Sequence, residues 1–368
     1  MPRIPRTDAL ALPHARPRRA ALAAFAALLA LTTLGLAGCG RDELPTHPDA
    51  GAPAIPRAYL TGADTIPWLT KAKMPTARRA FVAASVNGVV YAIGGARDST
   101  TQDENGYDRP IDAPLRTVEA YYPNTTTLVA WRLKAPLPAR RARANGASVI
   151  AGKIYVSGGR YRKDDADSVA KSLFVYTPST NTWEQKADMP APSFGGVQAV
   201  IDGKLYVVAA NPEGGVDANH LYRYDPAADS WFELAPAPHH HSGGVAGAID
   251  GKLYVAGGFA DKQSLAYLDV YYPSQNMWST KAPLPTPRGG AAGRVAGGKL
   301  YVVGGFSGNT LLTRMDAYNP ATNSWTRKAS LPKARYSAAA AVANGILYLL
   351  GGTTGNGVVA TNEAYDVP

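Results

Sequence analysis

Short apolar runs recur along the chain at wide, regular intervals, each bounded by glycine, asparagine or aspartate. Six of them share one wording: "VVYAIGG" at 89–95, "KIYVSGG" at 153–159, "KLYVVAA" at 204–210, "KLYVAGG" at 252–258, "KLYVVGG" at 299–305 and "ILYLLGG" at 346–352. Runs of Val, Leu, Ile and Tyr predict short buried strands. The paired glycines give backbone freedom where a side chain would obstruct the chain's path. Each run follows a small dipeptide: Asn87-Gly88, Ala151-Gly152, Asp202-Gly203, Asp250-Gly251, Gly297-Gly298 or Asn344-Gly345. Two-residue hairpin turns need positive φ at both central residues, which this chemistry supplies. Each run is therefore predicted to be the second strand of a hairpin.

A second pattern keeps step with the first. Tyr176, Tyr224, Tyr271 and Tyr318 are each followed by a Pro and an Asn or Asp, then by Trp183, Trp231, Trp278 and Trp325. The intervening turn reverses the chain, so the Tyr strand is expected to pair with the Trp strand. Each repeat then holds four short strands. The six tryptophans lie at 68, 131, 183, 231, 278 and 325, all of the chain's complement, and their spacing settles at 47 residues.

A period near 50 with a double glycine, a Tyr and a Trp at fixed offsets resembles the Kelch repeat, and the resemblance covers residues 66–368. It implies an all-β fold, a six-bladed Kelch β-propeller with four antiparallel strands per blade around a central channel. Trp and Tyr would fill the space between blades, and the glycines would let backbone approach near the axis. The chain ends "NEAYDVP", a Tyr-bearing strand with no Trp strand after it, whereas "IPWLTKAKMP" at 66–75 has a Trp and no Tyr strand before it. That N-terminal strand is expected to complete the last blade and close the ring. The 37 Gly, 29 Pro and 46% hydrophobic residues suit one turn-rich β domain.

The N-terminus is different in kind. Arg16, Arg18 and Arg19 precede the apolar run "AALAAFAALLALTTLGLAG", an export signal pattern. "LAGC" at 36–39 resembles the bacterial lipoprotein signal, in which the thiol is lipidated and heads the mature chain. The expected organisation is a lipoprotein signal peptide over 1–38, a Pro/Ala/Gly-rich lipidated tether over 39–65 and the propeller over 66–368. Cys39 is the sole cysteine, so no internal disulfide forms. The resemblance implies a membrane lipid anchor and a place in the bacterial cell envelope, on the outer membrane or the periplasmic side. Gly40, not an acidic residue, follows the cysteine, which argues against inner-membrane retention. Loss of residues 1–38 lowers the formal charge from +10 to +6; with no basic block, nucleic acid is not an expected partner.

Candidate chemistry lies where the inner strands begin, because these positions and the loops between second and third strands open on one face. Nine residues before each hairpin turn stand Arg78, Ala142, Ser193, His241, Arg288 and Arg335. Blade 2 adds Arg141 and Arg143, with Arg160 and Arg162 in its neighbouring loop. Arg78, Arg141, Arg160, His241, Arg288 and Arg335 are accordingly the candidate ligand-binding residues. Clustered guanidinium groups favour carboxylate, phosphate or sulfate. The alternative, that these arginines pair with a neighbouring blade, stays open. Of "HHH" at 239–241 only His239 and His241 share a strand face, and two imidazoles do not make a metal site; no metal or cofactor is expected. The longest insertion, residues 96–117 in blade 1, is a candidate recognition loop.

Two function classes follow. One is an envelope binding module that takes a glycan, peptide or protein partner on its open face. The other is similar to the periplasmic Kelch sugar epimerases and mutarotases acting on sialic acid, with Glu213 in "NPEGG" as acid/base beside Arg288. Copper oxidation of the Kelch galactose oxidase kind needs a Tyr–Cys crosslink, which a propeller without cysteine cannot form.

Overall fold

The computed structural model describes residues 67–102, 108–125, 129–163, 166–211 and 219–368. Residues 1–66, which hold the expected signal peptide, Cys39 and the expected tether, lie outside them, as does Glu213. The described residues contain no helix and form six four-stranded antiparallel sheets. Blade 4 shows the pattern: inner strand Val245–Ile249, then Lys252–Ala256, Leu268–Tyr272 and outer strand Met277–Thr280. Blades 1, 2, 3 and 5 begin with inner strands Val82–Val86, Gly146–Ile150, Val197–Ile201 and Ala292–Ala296. Blade 6 takes Ala339–Ala343, Ile346–Leu350 and Asn362–Asp366 from the chain's end and Leu69–Thr70 from its beginning. The register is Leu69↔Ala364 and Thr70↔Glu363, so the ring closes with an N-terminal strand.

All six inner hairpins turn on the expected dipeptides, whose φ angles lie between +48° and +78°. Left-handed backbone at both turn residues gives the hairpin the right-handed twist of its flanking strands, which is why Asn-Gly, Asp-Gly and Gly-Gly recur there. The middle strands are covered on both faces by neighbouring blades, so they read as unbroken apolar runs while outer strands such as Thr182–Lys186 stay largely exposed. The accessory loops are also strands. Residues 96–117, expected as a loop, contain a hairpin of Ala96–Gln102 with Asp108–Pro114.

Aromatic side chains join the blades in two closed circuits. Second-strand Tyr91, Tyr155, Tyr206, Tyr254, Tyr301 and Tyr348 each meet the third-strand Tyr of the following blade at 5.7–6.4 Å between ring centroids. That Tyr in turn packs on the Trp of its own blade at 5.0–5.4 Å. Every Trp Nε1–H donates across the junction to an alanine carbonyl of the preceding blade, at 2.7–3.1 Å. In four junctions the turn Asn or Asp completes the joint: Asn276 Oδ1 accepts from Tyr271 Oη at 2.7 Å and from the N–H of Ala235 at 2.9 Å. Ala235 thus has its N–H taken by Asn276 and its carbonyl by Trp278. Asn181, Asp229 and Asn323 repeat the arrangement.

The paired glycines work at the same junctions rather than beside the axis. The second glycine of Gly94-Gly95, Gly158-Gly159, Gly257-Gly258, Gly304-Gly305 and Gly351-Gly352 donates its N–H to a carbonyl opening the next blade, at 2.7–2.9 Å. A Cβ on the first glycine would stand 2.3–2.7 Å from that same oxygen. Blade 3 has Ala209-Ala210 instead, and Ala210 donates within its own blade to Ser193 Oγ at 3.0 Å.

Trp68 is the closing aromatic, 5.4 Å from Tyr365 and bonded to Ala329 of blade 5. Trp68→Ala is expected to cost on the order of 3–5 kcal/mol, read from the denaturation midpoint in urea. Deleting 66–75 should cost more, since it bares the edge of Asn362–Asp366. An unchanged midpoint for the deletion would contradict closure by this strand.

Candidate functional site

At the face where inner strands begin, the six blades meet in a ring of backbone hydrogen bonds. Ala80, Arg143, Gly195, Gly243, Gly290 and Ser337 all adopt left-handed backbone, with φ between +51° and +68°. The N–H of each donates to the carbonyl of its counterpart in the preceding blade, at 2.6–2.8 Å, and Ala80 closes the circle on Ser337. Two residues before each ring member stand Arg78, Arg141, Ser193, His241, Arg288 and Arg335. Blade 2 carries one residue more than the others between its ring member and its inner strand, around Ala144 and Asn145. Counting from the hairpin turn therefore lands on Ala142, whereas the equivalent residue is Arg141.

These basic side chains do not border the opening. Arg78 and Arg288 are fully buried, Arg335 and His241 nearly so, and each meets a carboxylate on the third strand of its own blade. Arg78 pairs with Glu119, Arg288 with Asp316 at 2.5 Å and Arg335 with Glu363 at 2.8 Å. His241 Nε2 lies 3.0 Å from Asp269 Oδ2 and its Nδ1 faces the Gly257 carbonyl at 2.7 Å. Both ring nitrogens thus face acceptor oxygens within the blade. The arginines also donate to backbone: Arg78 Nη1 reaches the carbonyls of Thr117 and Gly94 at 3.0 and 3.2 Å. Burial pulls the Arg78 and Arg288 guanidinium groups below their ordinary value, against the opposing charge of Glu119 and Asp316. Each is an internal clamp between the start of an inner strand and a third strand, the alternative left open by the sequence.

The carboxylates had a signature. Glu119, Asp269, Asp316 and Glu363 each stand two residues before the third-strand Tyr, in "EAY", "DVY", "DAY" and "EAY". Blades 2 and 3 carry Phe174 and Tyr222 there. The Arg141 guanidinium accordingly stacks 5.3 Å from the Phe174 ring and 5.0 Å from Tyr161, and donates to Ser172 Oγ at 2.8 Å. Ser193 joins a buried neutral network: its Oγ donates to Asn145 Oδ1 at 2.8 Å, and Ser157 Oγ donates to Gln198 Oε1 at 2.7 Å. His239 and His241 do converge, on one oxygen of Asp269, with His239 Nδ1 at 2.8 Å and its ring stacked on Tyr267 at 3.6 Å. Among the described residues no group of three His, Cys, Asp or Glu is placed to hold a metal.

What opens to solvent inside the backbone ring is a funnel of about 290 Å³. Blades 4 to 6 give it an aromatic arc: Phe259 and Phe306 lie 4.6 Å apart, and Tyr336 meets Phe306 edge-on at 5.4 Å. Gly289 leaves the space for this, since a Cβ there would stand 2.2 Å from the Phe259 ring. On the blade 2 side Arg143 is exposed at the rim, and Arg160 sits over the Phe194 ring at 5.0 Å. None of the candidate ligand-binding residues lines the funnel; Arg160 lies behind it, against Phe194, which does. Arg79, outside that set, pairs at the same face with Asp98 at 2.8 Å. The floor is Arg294, on the inner strand of blade 5, which the repeat pattern did not single out because it occurs once. Among the described residues lining the funnel there is no carboxylate.

Residues 145–352 match the KLHDC2/KLHL20/DRC7 Kelch-repeats domain. The chain belongs to the Kelch-repeat family. It is similar to Kelch-like protein 35 of Mus musculus, 28% identical over 40% of this chain and 21% of that protein. It is also similar to alpha-scruin of Limulus polyphemus, 26% identical over 41% of this chain and 15% of that protein. The chain thus spans about a fifth or less of these relatives. A solved structure titled "Structure of YjhT" superposes with a TM-score of 0.64 at 18% identity, covering 79% of this chain and 95% of that one, and shares the fold.

The clamps make two expectations. Arg335→Met should destabilise by about 3–5 kcal/mol by stranding Glu363, whose one ion-pair partner among the described residues is Arg335, while Arg335→Met with Glu363→Leu should recover most of it in urea denaturation. Asp269 is buried, which alone would raise its pKa, yet hydrogen bonds and charge from His241, with His239 and Thr280, hold it below the ordinary value. A carboxylate depressed on folding stabilises fully above the unfolded value of ~3.9 and loses that contribution as pH falls through the lower folded value. The melting temperature should therefore fall below about pH 4, and Asp269→Asn should flatten that acid limb; an identical limb would contradict the pairing.

Proposed function

We propose that the protein is an exported, lipid-anchored binding module of the bacterial cell envelope, and that its open face takes a protein or glycan partner. The observation that carries this reading is the division of the mouth into an aromatic arc and a basic rim around a concave centre. Aromatic anchors in a partly desolvated hollow, flanked by arginine, are the composition of binding hot spots. Aromatic faces suit sugar rings and apolar side chains alike, and the exposed Arg143 adds a guanidinium to the rim. A lipid on Cys39, followed by a Pro/Ala/Gly-rich stretch, would present this face at a distance from the membrane.

The epimerase reading has less support. Arg288, its proposed partner for Glu213, has its guanidinium engaged by Asp316 and the Arg314 carbonyl.

A photoreactive phenylalanine analogue at Tyr336 is expected to crosslink a discrete partner in intact cells of the source organism. The same analogue at Asp250, in a hairpin turn on the opposite face, should not. In the same cells Cys39→Ser should abolish fatty-acid labelling and release the protein from membranes. Equal crosslinking at both positions would sink the open-face reading, and unaltered labelling would sink the anchor.

A further inference from the structure

The inner strands meet the channel at matched heights. The residue opposite the second-strand Tyr is Ala84, Ser148, Ala199, Gly247 and Ala341 in five blades, and Arg294 in blade 5. Small residues on five sides leave room, and the one long side chain crosses it. Arg294 Nη2 donates to the carbonyl of Ala83 in blade 1 and to that of Ala147 in blade 2, at 3.1 Å for the latter. Both oxygens lie on the inner strands, whose channel-facing edges have no further strand to pair with. The side chain separates the funnel from a second cavity of about 300 Å³ below it, and lines both.

This guanidinium differs from the clamps in having no counter-ion. No carboxylate among the described residues lies within ion-pair distance, and no described residue accepts from its Nε or Nη1. Burial brings it down to about 10, with no charged neighbour acting in either direction, so it remains a cation at neutral pH. A cation in a confined channel is poorly hydrated, and an anion reaching it restores the lost solvation. With Nη2 engaged by the two carbonyls, Nη1 is left to donate a single charge-assisted hydrogen bond to one carboxylate oxygen. Above it Phe259, Phe306 and Tyr336, all half-buried, give one side of the funnel wall an aromatic surface.

We infer that Arg294 is the anchor of a small-molecule subsite in the channel, which binds an organic monocarboxylate by its carboxylate with its apolar stem lying in the aromatic funnel. The subsite does not depend on which partner the rim takes, so it can fail while the open-face reading stands.

The test titrates the full chain with 5-phenylvalerate and with its uncharged amide by calorimetry. The acid is expected to bind and the amide to bind about tenfold or more weakly, the difference a charge-assisted pair confers. Arg294→Met should weaken the acid by a similar factor and leave the amide unaffected, with Arg294→Lys intermediate. Where Arg294→Met fails to fold, the Nε–H resonance of Arg294 in the wild-type chain serves instead, and it should move on adding the acid and stay still with the amide. Equal affinity for acid and amide, no binding of the acid at millimolar concentration, or a resonance that ignores the acid would each overturn the subsite. Crosslinking at Tyr336 is read separately and is untouched by any of these results.

Discussion

The ring of six backbone hydrogen bonds at the mouth is the constraint from which the neighbouring arrangement follows. A closed circle of donors and acceptors needs every blade to offer its N–H to one neighbour and its carbonyl to the other at one height. Left-handed backbone at Ala80, Arg143, Gly195, Gly243, Gly290 and Ser337 achieves that. Only three of the six are glycine, so the other three accept a conformation that costs ~1–2 kcal/mol for an L-residue. With the ring member fixed, the residue two places earlier is fixed as well. At Arg78, Arg141, Ser193, Arg288 and Arg335 its carbonyl meets the glycine N–H of the preceding blade, and at Arg78, Arg288 and Arg335 the side chain turns into its own blade to find a carboxylate.

Blades 2 and 3 show what happens when the ionic partner is removed. Phe174 stands in the carboxylate position of blade 2, and Arg141 stays buried by stacking on it and on Tyr161. One nitrogen, Arg141 Nε, is left without a partner, the consequence of replacing a two-oxygen acceptor by a ring face. Blade 3 drops the charge altogether, and the extra residue of blade 2 brings in Asn145 to bond Ser193 and the N–H of Gly196. The two blades thus reach the same end by different routes, blade 2 by ring faces and a hydroxyl around the cation and blade 3 by a neutral network. Blade 3 also carries Ala209-Ala210 in place of glycines, so the junction between blades 3 and 4 lacks the backbone bond that the other five share.

These particulars explain what the sequence made legible. Turn dipeptides could be read because positive φ restricts residue choice locally, and Trp and Tyr because their offsets recur at every junction. The basic position could be read as a repeat, but its fate could not, since the partner lies on another strand 28 residues later in blades 4 to 6 and further in blade 1. The Glu or Asp two residues before the third-strand Tyr was the available signal: it is present in the blades whose Arg or His meets a carboxylate, and absent from blades 2 and 3. Counting from a turn failed in blade 2 because one inserted residue shifts every position before it. Arg294 was invisible to a search for periodicity, as a residue that occurs in one blade has no repeat to reveal it.

The molecule thus puts the same chemical group to two uses, and the surroundings decide between them. Arg78 and Arg288 are desolvated as they pack, and opposing carboxylates within their own blades restore what desolvation removes. Their charge is cancelled inside the wall and contributes little field to the channel. Arg294 is desolvated with nothing opposing it, and the two carbonyls it reaches supply dipoles rather than charge. In a passage lined at this height by Ala84, Ser148, Ala199, Gly247 and Ala341 no charged side chain offsets that imbalance, and low-dielectric walls concentrate the field along the axis. The propeller's symmetry strengthens the point: five equivalent positions could have carried a carboxylate to balance the charge, and all five carry a side chain without ionisable atoms.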